Sequence, residues 1–207
     1  KRQALDCTVK LPQIEHNQHE ISTPDVIYQI VKDTPIELPA LLAMWLSLTE
    51  SEILGLTKSK SISSDGCYIT IKEVIVKDEH NNAVVKNKGK QPTRDRTLRL
   101  PEYLKQLIDK VETDQLVTLS GTALSKRFNR LITKAGIPHM TFHDLRHVNA
   151  SVMAVLRIPD KYAQERGGWK TDHIMKSTYM QTFSSERAAI DLSLIHISEP
   201  TRLRRIS

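Results

Sequence analysis

The sequence is poor in several features that mark particular classes of protein. It has two cysteines in 207 residues, Cys7 and Cys67, which show neither metal-ligand spacing nor a framework of disulfide pairs. Its longest apolar stretch, 36–48, contains Glu37 and Pro39 and is shorter than the roughly 20 residues that a membrane-spanning helix needs. The amino terminus has no apolar signal core. These absences predict a soluble, cytoplasmic protein without a membrane partner.

Charge gives a first indication of a partner. The chain has 30 Lys and Arg against 24 Asp and Glu, a formal net charge of +6. A positive excess of this size mildly favours a polyanion such as nucleic acid. There is no internal repeat or low-complexity tract, which excludes a solenoid.

Hydrophobic periodicity predicts a mainly α (α+β) domain with a small antiparallel sheet near residues 67–100. Ser22 to Asp25 supply a cap, a proline and an acid ahead of a first helix. A second helix is predicted after Pro39, through Leu41 to Leu48. Further helices are predicted at 101–111, 123–135, 143–156 and 160–166, and strands at 68–76, 83–85 and 96–100.

The run His143-Asp144-Leu145-Arg146-His147 carries the most chemical information. His143 precedes Arg146 by three residues, so on a helix both project from one face. A guanidinium can donate two parallel hydrogen bonds to phosphate oxygens, which a lysine cannot reproduce. His143 can bind the same phosphate or move a proton, whereas His147 fits a structural role as well as a catalytic one.

The same histidines have the i, i+4 spacing of metal ligands, but a zincin helix needs Glu directly after the first His. Here that residue is Asp144, and no third ligand is evident. We therefore expect no metal.

Gly167-Gly168-Trp169 and then Tyr179 follow the His-x-x-Arg run. In order and spacing these motifs resemble the tyrosine recombinases of the phage integrase type, over roughly residues 22–187. The resemblance implies an integrase-type catalytic domain that cuts and rejoins double-stranded DNA in site-specific recombination or integration. Tyr179 would be the nucleophile that forms a 3′-phosphotyrosine, and Arg146, His143 and Trp169 would bind the phosphate. Such chemistry requires no cofactor.

The resemblance also implies a lysine that protonates the departing 5′ oxygen. It should fall within 86–90, on a β-hairpin. Counting back from Arg96 favours Lys90, and Lys88 is the alternative; a basic loop that only contacts the DNA backbone would have the same sequence.

One position departs from the family pattern. The resemblance expects a catalytic arginine where this chain has Thr49. Thr49 and Glu52 instead form a capping-box pattern for the next helix. We therefore expect the fold to be kept and the activity to be impaired. The alternatives are a DNA-binding remnant or regulator with the same fold and a type IB topoisomerase, which shares the chemistry but relaxes supercoils without choosing a site.

Three segments are distinguished along the chain. Residues 1–21 are polar and aperiodic, as expected for a linker from a missing amino-terminal DNA-binding domain. Residues 22–191 would form the catalytic domain. Residues 192–207 resemble a translated sequencing adapter and are treated as a non-native tail. The resemblance further implies self-association on DNA, as a tetramer in the family.

Overall fold

The described part of the chain, residues 22–80, 82–87 and 96–169 of a computed structural model, contains eight helices and four strands. The helices are α1 Pro24–Val31, α2 Glu37–Leu46, α3 Glu50–Leu54, α4 Lys58–Ser61, α5 Glu102–Asp109, α6 Gly121–Ala135, α7 Asp144–Val155 and α8 Asp160–Gly167. The strands are β1 Tyr68–Ile71, β2 Glu73–Lys77, β3 Ala83–Asn87 and β4 Arg96–Arg99. The fold is mainly α with a small antiparallel β component, as predicted.

Helix α2 lies at the centre of the core. Its sequence is apolar on nearly all sides, and every residue except Trp45 is buried. A helix of this composition has to be enclosed, and α1, α3, α5 and α7 pack around it. Its carboxyl end therefore lies inside the molecule, at the point where α3 begins and α7 passes.

The predicted start of α2 was wrong by three residues. The helix begins at Glu37, so Pro39 lies in its first turn rather than ahead of it. A proline is accepted there because the first amide groups of a helix have no acceptor within the helix. The helix also ends earlier than predicted, at Leu46, because Ser47 adopts the left-handed conformation with φ 57°.

The strands form two separate antiparallel ladders. β1 pairs with β4, placing Ile69 opposite Leu98, and β2 pairs with β3, placing Ile75 opposite Val85. The predicted continuous strand 68–76 is interrupted at Lys72. In β4 burial alternates, so that Arg96 and Leu98 face inward together. This places a guanidinium group in the interior.

The expectations for 1–21, 170–191 and 192–207 lie outside the described residues. Among the helices that the structure does describe, none combines the length and the apolar character needed to cross a membrane.

Candidate active site

The last turn of α2 presents backbone carbonyl groups that accept no hydrogen bond from an amide of the same helix. The side-chain N–H of Asn149 donates to the carbonyls of Met44 at 2.8 Å and Trp45 at 3.2 Å. Arg166 also donates to Trp45, at 3.2 Å. Ser47, which ends the helix, accepts hydrogen bonds from two further arginines. Because a helix carboxyl end carries partial negative charge, it attracts cationic side chains here.

Arg146 is the first of the arginines at Ser47. It projects from the first turn of α7, is only 7% exposed, and donates from Nη1 to the Ser47 carbonyl. On its other side the guanidinium carbon lies 4.5 Å from the centroid of the Trp169 ring, a cation–π contact. Burial lowers the pKa of Arg146 to about 10, with Glu52 opposing the shift and Arg96 adding to it. The group is still charged at neutral pH, and it is held from two sides.

Arg96 of β4 is the second arginine that donates to Ser47. Its Nη2 donates to the Ser47 carbonyl at 3.3 Å, and its two Nη atoms donate to the two carboxylate oxygens of Glu52 at 2.9 and 3.0 Å. The side chains are 8% and 5% exposed, so this is a buried bidentate ion pair. It joins β4 to α3 next to the Ser47 carbonyl that also accepts from Arg146.

Thr49 lies at the N-cap of α3, and the predicted capping box is confirmed. Glu52 Oε2 accepts the backbone N–H of Thr49 at 2.8 Å, while the Thr49 hydroxyl is 3.3 Å from the hydroxyl of Ser51. Glu52 therefore serves both the helix start and the ion pair with Arg96. Thr49 contributes no charge to the site.

His143 and His147 lie at the start of α7 with their ring centroids 5.2 Å apart. Burial and the charge on Arg146 lower the pKa of His143, against the effect of Asp144. Burial and His143 likewise lower the pKa of His147. Asp144 accepts the backbone N–H and the hydroxyl of Thr141 at 2.7 and 2.8 Å, which closes the turn into α7. Both rings are therefore favoured in the neutral form.

Trp169 follows α8 and is placed by two glycines. Gly168 ends the helix in the left-handed conformation with φ 67°, which glycine adopts without strain. A Cβ on Gly167 would lie 1.9 Å from the Trp169 ring, and one on Gly168 would lie 2.4 Å from Arg96 Nη1. The bare glycine backbone thus lets the tryptophan and the arginine pack closely.

The structure brings Arg146, His143 and Trp169 to one place, with Thr49 beside them. Tyr179, Lys88 and Lys90 lie outside the described residues. Within 22–80, 82–87 and 96–169 no group of three or more His, Cys, Asp or Glu side chains is placed to hold a metal ion.

Sequence reasoning did not find the ion pair between Arg96 and Glu52, or the shared carbonyl of Ser47. A signal for Arg96 was present. It is in phase with Leu98 on a two-residue period, and an inward-facing arginine requires a buried acceptor.

The sequence profile of the phage integrase family matches residues 50–186, about two thirds of the chain. The chain belongs to this family, whose members are tyrosine recombinases. A curated integrase from Saccharopolyspora erythraea is 37% identical over 57 residues, which are 28% of this chain and 13% of that protein.

Solved structures share the fold at low identity. The integrase of transposon Tn1549, in complex with a circular intermediate DNA, superposes with a TM-score of 0.68 at 18% identity over 86% of this chain and 66% of that one. The XerA recombinase gives 0.64 at 16% identity, over 91% and 67%. A lambda integrase dimer bound to a core site gives 0.57 at 18% identity, over 80% and 49%. The chain spans about two thirds or less of the length of these relatives.

Proposed function

We propose that this chain is the catalytic part of a site-specific recombinase that cleaves and rejoins double-stranded DNA, with Tyr179 as the nucleophile. The observation that supports this best is the fixed position of Arg146, buried between the Ser47 carbonyl and the Trp169 ring and next to His143. A buried guanidinium that is still charged is suited to bind a phosphate diester. The family to which the chain belongs uses this chemistry.

In the proposed reaction Arg146 and His143 bind the non-bridging oxygens of one phosphate. The phenolic oxygen of Tyr179 attacks phosphorus as its proton passes to the neutral ring of His143, and a 3′-phosphotyrosine bond forms as the bond to the 5′ oxygen breaks. The departing oxygen takes a proton from Lys90, or from Lys88. Attack by a 5′ hydroxyl of a second strand reverses these steps and releases Tyr179. The bond energy is conserved in the ester, so no nucleotide cofactor or metal is needed.

The position of Thr49 favours a slow reaction. Thr49 has no positive charge to offer the equatorial oxygens of the transition state, and its backbone is engaged by Glu52 in the helix cap. Loss of a phosphate-clamping arginine costs roughly 10³ to 10⁵ in rate in comparable phosphoryl transfers. A DNA-binding remnant or regulator with the same fold is therefore the second candidate function. Both candidate functions have double-stranded DNA as the proposed partner. Self-association on DNA is proposed only for the recombinase.

Covalent trapping tests the two candidates. The full chain is incubated with a pool of nicked suicide duplexes of randomised sequence, and DNA that stays bound to protein on a denaturing gel is recovered and sequenced. We expect a low yield with the parent chain, none with Tyr179→Phe, and at least about 10² more with Thr49→Arg. The helix should tolerate this change, since loss of a capping hydroxyl costs about 1 kcal/mol.

Equal yields from the parent chain and Thr49→Arg would show that the chain is not impaired at this position. Adducts that persist in Tyr179→Phe would overturn the assignment of the nucleophile. If the parent chain and Thr49→Arg both bind DNA but neither forms an adduct, the DNA-binding remnant or regulator is the favoured function.

A further inference from the structure

The charge that is missing at Thr49 has a candidate source on another element. Arg96 of β4 and Arg146 of α7 both donate to the same atom, the carbonyl oxygen of Ser47. A carbonyl oxygen accepts two hydrogen bonds through its two lone pairs, so the two guanidinium groups lie side by side. Their proximity also appears in the pKa of Arg146, which the charge on Arg96 lowers.

The charges at this point do not cancel. Arg96 and Arg146 contribute two positive charges, and Glu52 contributes one negative charge to both of them. The carboxyl end of α2 adds about half a negative charge. The described groups in contact with the two arginines thus leave a positive excess in a buried place, where an unbalanced charge is costly. A bound anion would relieve it.

We propose that the charge of Arg96 compensates in part for the arginine that the family pattern expects at Thr49, without the direct phosphate contacts that an arginine at Thr49 would make. This inference rests on the proposed function. Arg96 is a positioning residue here, because both of its Nη groups are directed at Glu52 and Ser47 rather than outward. It acts on the phosphate through space and on Arg146 through the shared carbonyl.

The surroundings of Arg96 fit this role. Gly168 leaves room for the guanidinium where a Cβ would come within 2.4 Å of Nη1, and the next residue, Trp169, covers Arg146. The Nε of Arg96 is buried and has no hydrogen-bond partner among the described residues. The guanidinium is therefore not fully satisfied by the fold, as a group with a purely structural role would be.

Substituting each partner of the ion pair in turn distinguishes an effect of the Arg96 charge on the phosphate site from a purely structural role of the pair. Arg96→Gln and Glu52→Gln each remove one half of the pair, so a purely structural role predicts similar losses of stability and no opposed effect on binding. A charge that serves the phosphate predicts opposite effects, because the first change removes a positive charge from the site and the second removes a negative one. The double variant Arg96→Gln with Glu52→Gln restores the charge balance and can keep hydrogen bonds between the amides.

The experiment measures the affinity of the full-length variants for inorganic phosphate by calorimetry. It also measures their affinity for a labelled mixed-sequence duplex by fluorescence anisotropy, over a series of salt concentrations. We expect Arg96→Gln to weaken binding and Glu52→Gln to strengthen it, each roughly three- to tenfold. The double variant should return close to the parent, and Arg96→Lys should keep most of the affinity. Thermal melting of each variant identifies any that does not fold.

Arg146→Gln distinguishes a failure of this inference from a failure of the proposed function. If Arg146→Gln loses affinity while the single variants of the pair shift together or not at all, Arg96 is structural and the inference is overturned. If Arg146→Gln leaves the affinity unchanged, this is not a phosphate site, and both proposals fall. Should one of the single variants not fold, the other decides: an affinity lowered by Arg96→Gln, or raised by Glu52→Gln, supports the role of the charge, and an affinity that does not change in that direction overturns it.

Discussion

Two glycines end helices with the same backbone geometry but in different surroundings. Gly136 and Gly168 both have φ 67°. A Cβ on Gly136 would meet nothing within 4 Å, whereas one on Gly168 would lie 2.4 Å from Arg96 Nη1. We expect Gly136→Ala to lower the free energy of unfolding by roughly 1 kcal/mol through backbone strain alone. Gly168→Ala should cost about 1 to 3 kcal/mol more, because Arg96 is fixed by Glu52 and cannot move aside freely.

Urea unfolding of both variants beside the parent measures the difference. Gly136→Ala is the matched control, since it shares the residue type, the conformation and the helix-end position. Equal losses in the two variants would show that the Arg96 side chain gives way easily, contrary to a rigid ion pair.

At the scale of residues, the sequence predicts which side chains meet when they are a few positions apart in the chain, and misses contacts between residues far apart in it. His143 and Arg146 are three residues apart, so helical geometry alone places them together. The box formed by Thr49 and Glu52 is equally local, and it was confirmed. The partner of Glu52 is 44 residues away in the chain, and no periodicity connects the two positions. Only the tertiary fold brings Arg96 of β4 to this carboxylate of α3.

At the scale of elements, the carboxyl end of α2 depends on side chains from α7 and α8. Asn149 is 7% exposed and donates to the carbonyls of Met44 and Trp45. Replacing it with alanine leaves the Met44 carbonyl without this donor in the interior, which should cost about 1 to 3 kcal/mol of unfolding free energy. Arg166→Ala should cost less than about 1 kcal/mol, because Trp45 keeps the hydrogen bond from Asn149.

Thermal or urea denaturation of the two alanine variants provides the comparison. A loss in Arg166→Ala as large as in Asn149→Ala would mean that charge at the helix end, rather than satisfaction of its carbonyls, stabilises α2.

The elements themselves were largely predictable, and their boundaries were less so. Helices α5 to α8 follow from the spacing of apolar residues, and the bounds of α7 differ by one residue at each end from those predicted. The break at Lys72 was not predicted, although Lys72 and Glu73 are the two residues that interrupt the β-branched residues of 69–76, because two charged residues do not by themselves end a strand. It arises where β1 pairs with β4 while β2 turns to pair with β3. That choice of partners depends on the whole sheet.

At the scale of the whole molecule, the two histidines of α7 connect stability to pH. The pKa of each is depressed below its ordinary value of 6.5, chiefly by burial. The unfolded chain therefore binds protons more readily than the folded one. The contribution of the two neutral histidines to the free energy of unfolding is complete above pH 6.5, and it is lost as the pH falls through their pKa values in the folded state. Although part of the His143 side chain is desolvated, the residue as a whole is exposed whereas His147 is half-buried, so solvent screens the contribution of His143 and that of His147 should dominate.

Unfolding free energies measured across this pH range should fall with acidity in the parent and fall less steeply in His147→Gln. His139→Gln, a change at an exposed histidine, should keep the slope of the parent. If His147→Gln keeps the pH dependence of the parent, groups other than His147 cause the loss of stability in acid.

The shared carbonyl of Ser47 also has a consequence for the order of events during folding. The hydrogen bonds that meet there span 49 and 99 residues of the chain, to Arg96 and Arg146. Contacts between such remote segments form late, because closing long loops costs entropy before any contact compensates it. A nascent chain that has not yet reached α7 has no guanidinium to place at this carbonyl. Affinity for a phosphate should therefore emerge only when the last helices dock, so that partly synthesised chains are inert toward DNA at this site.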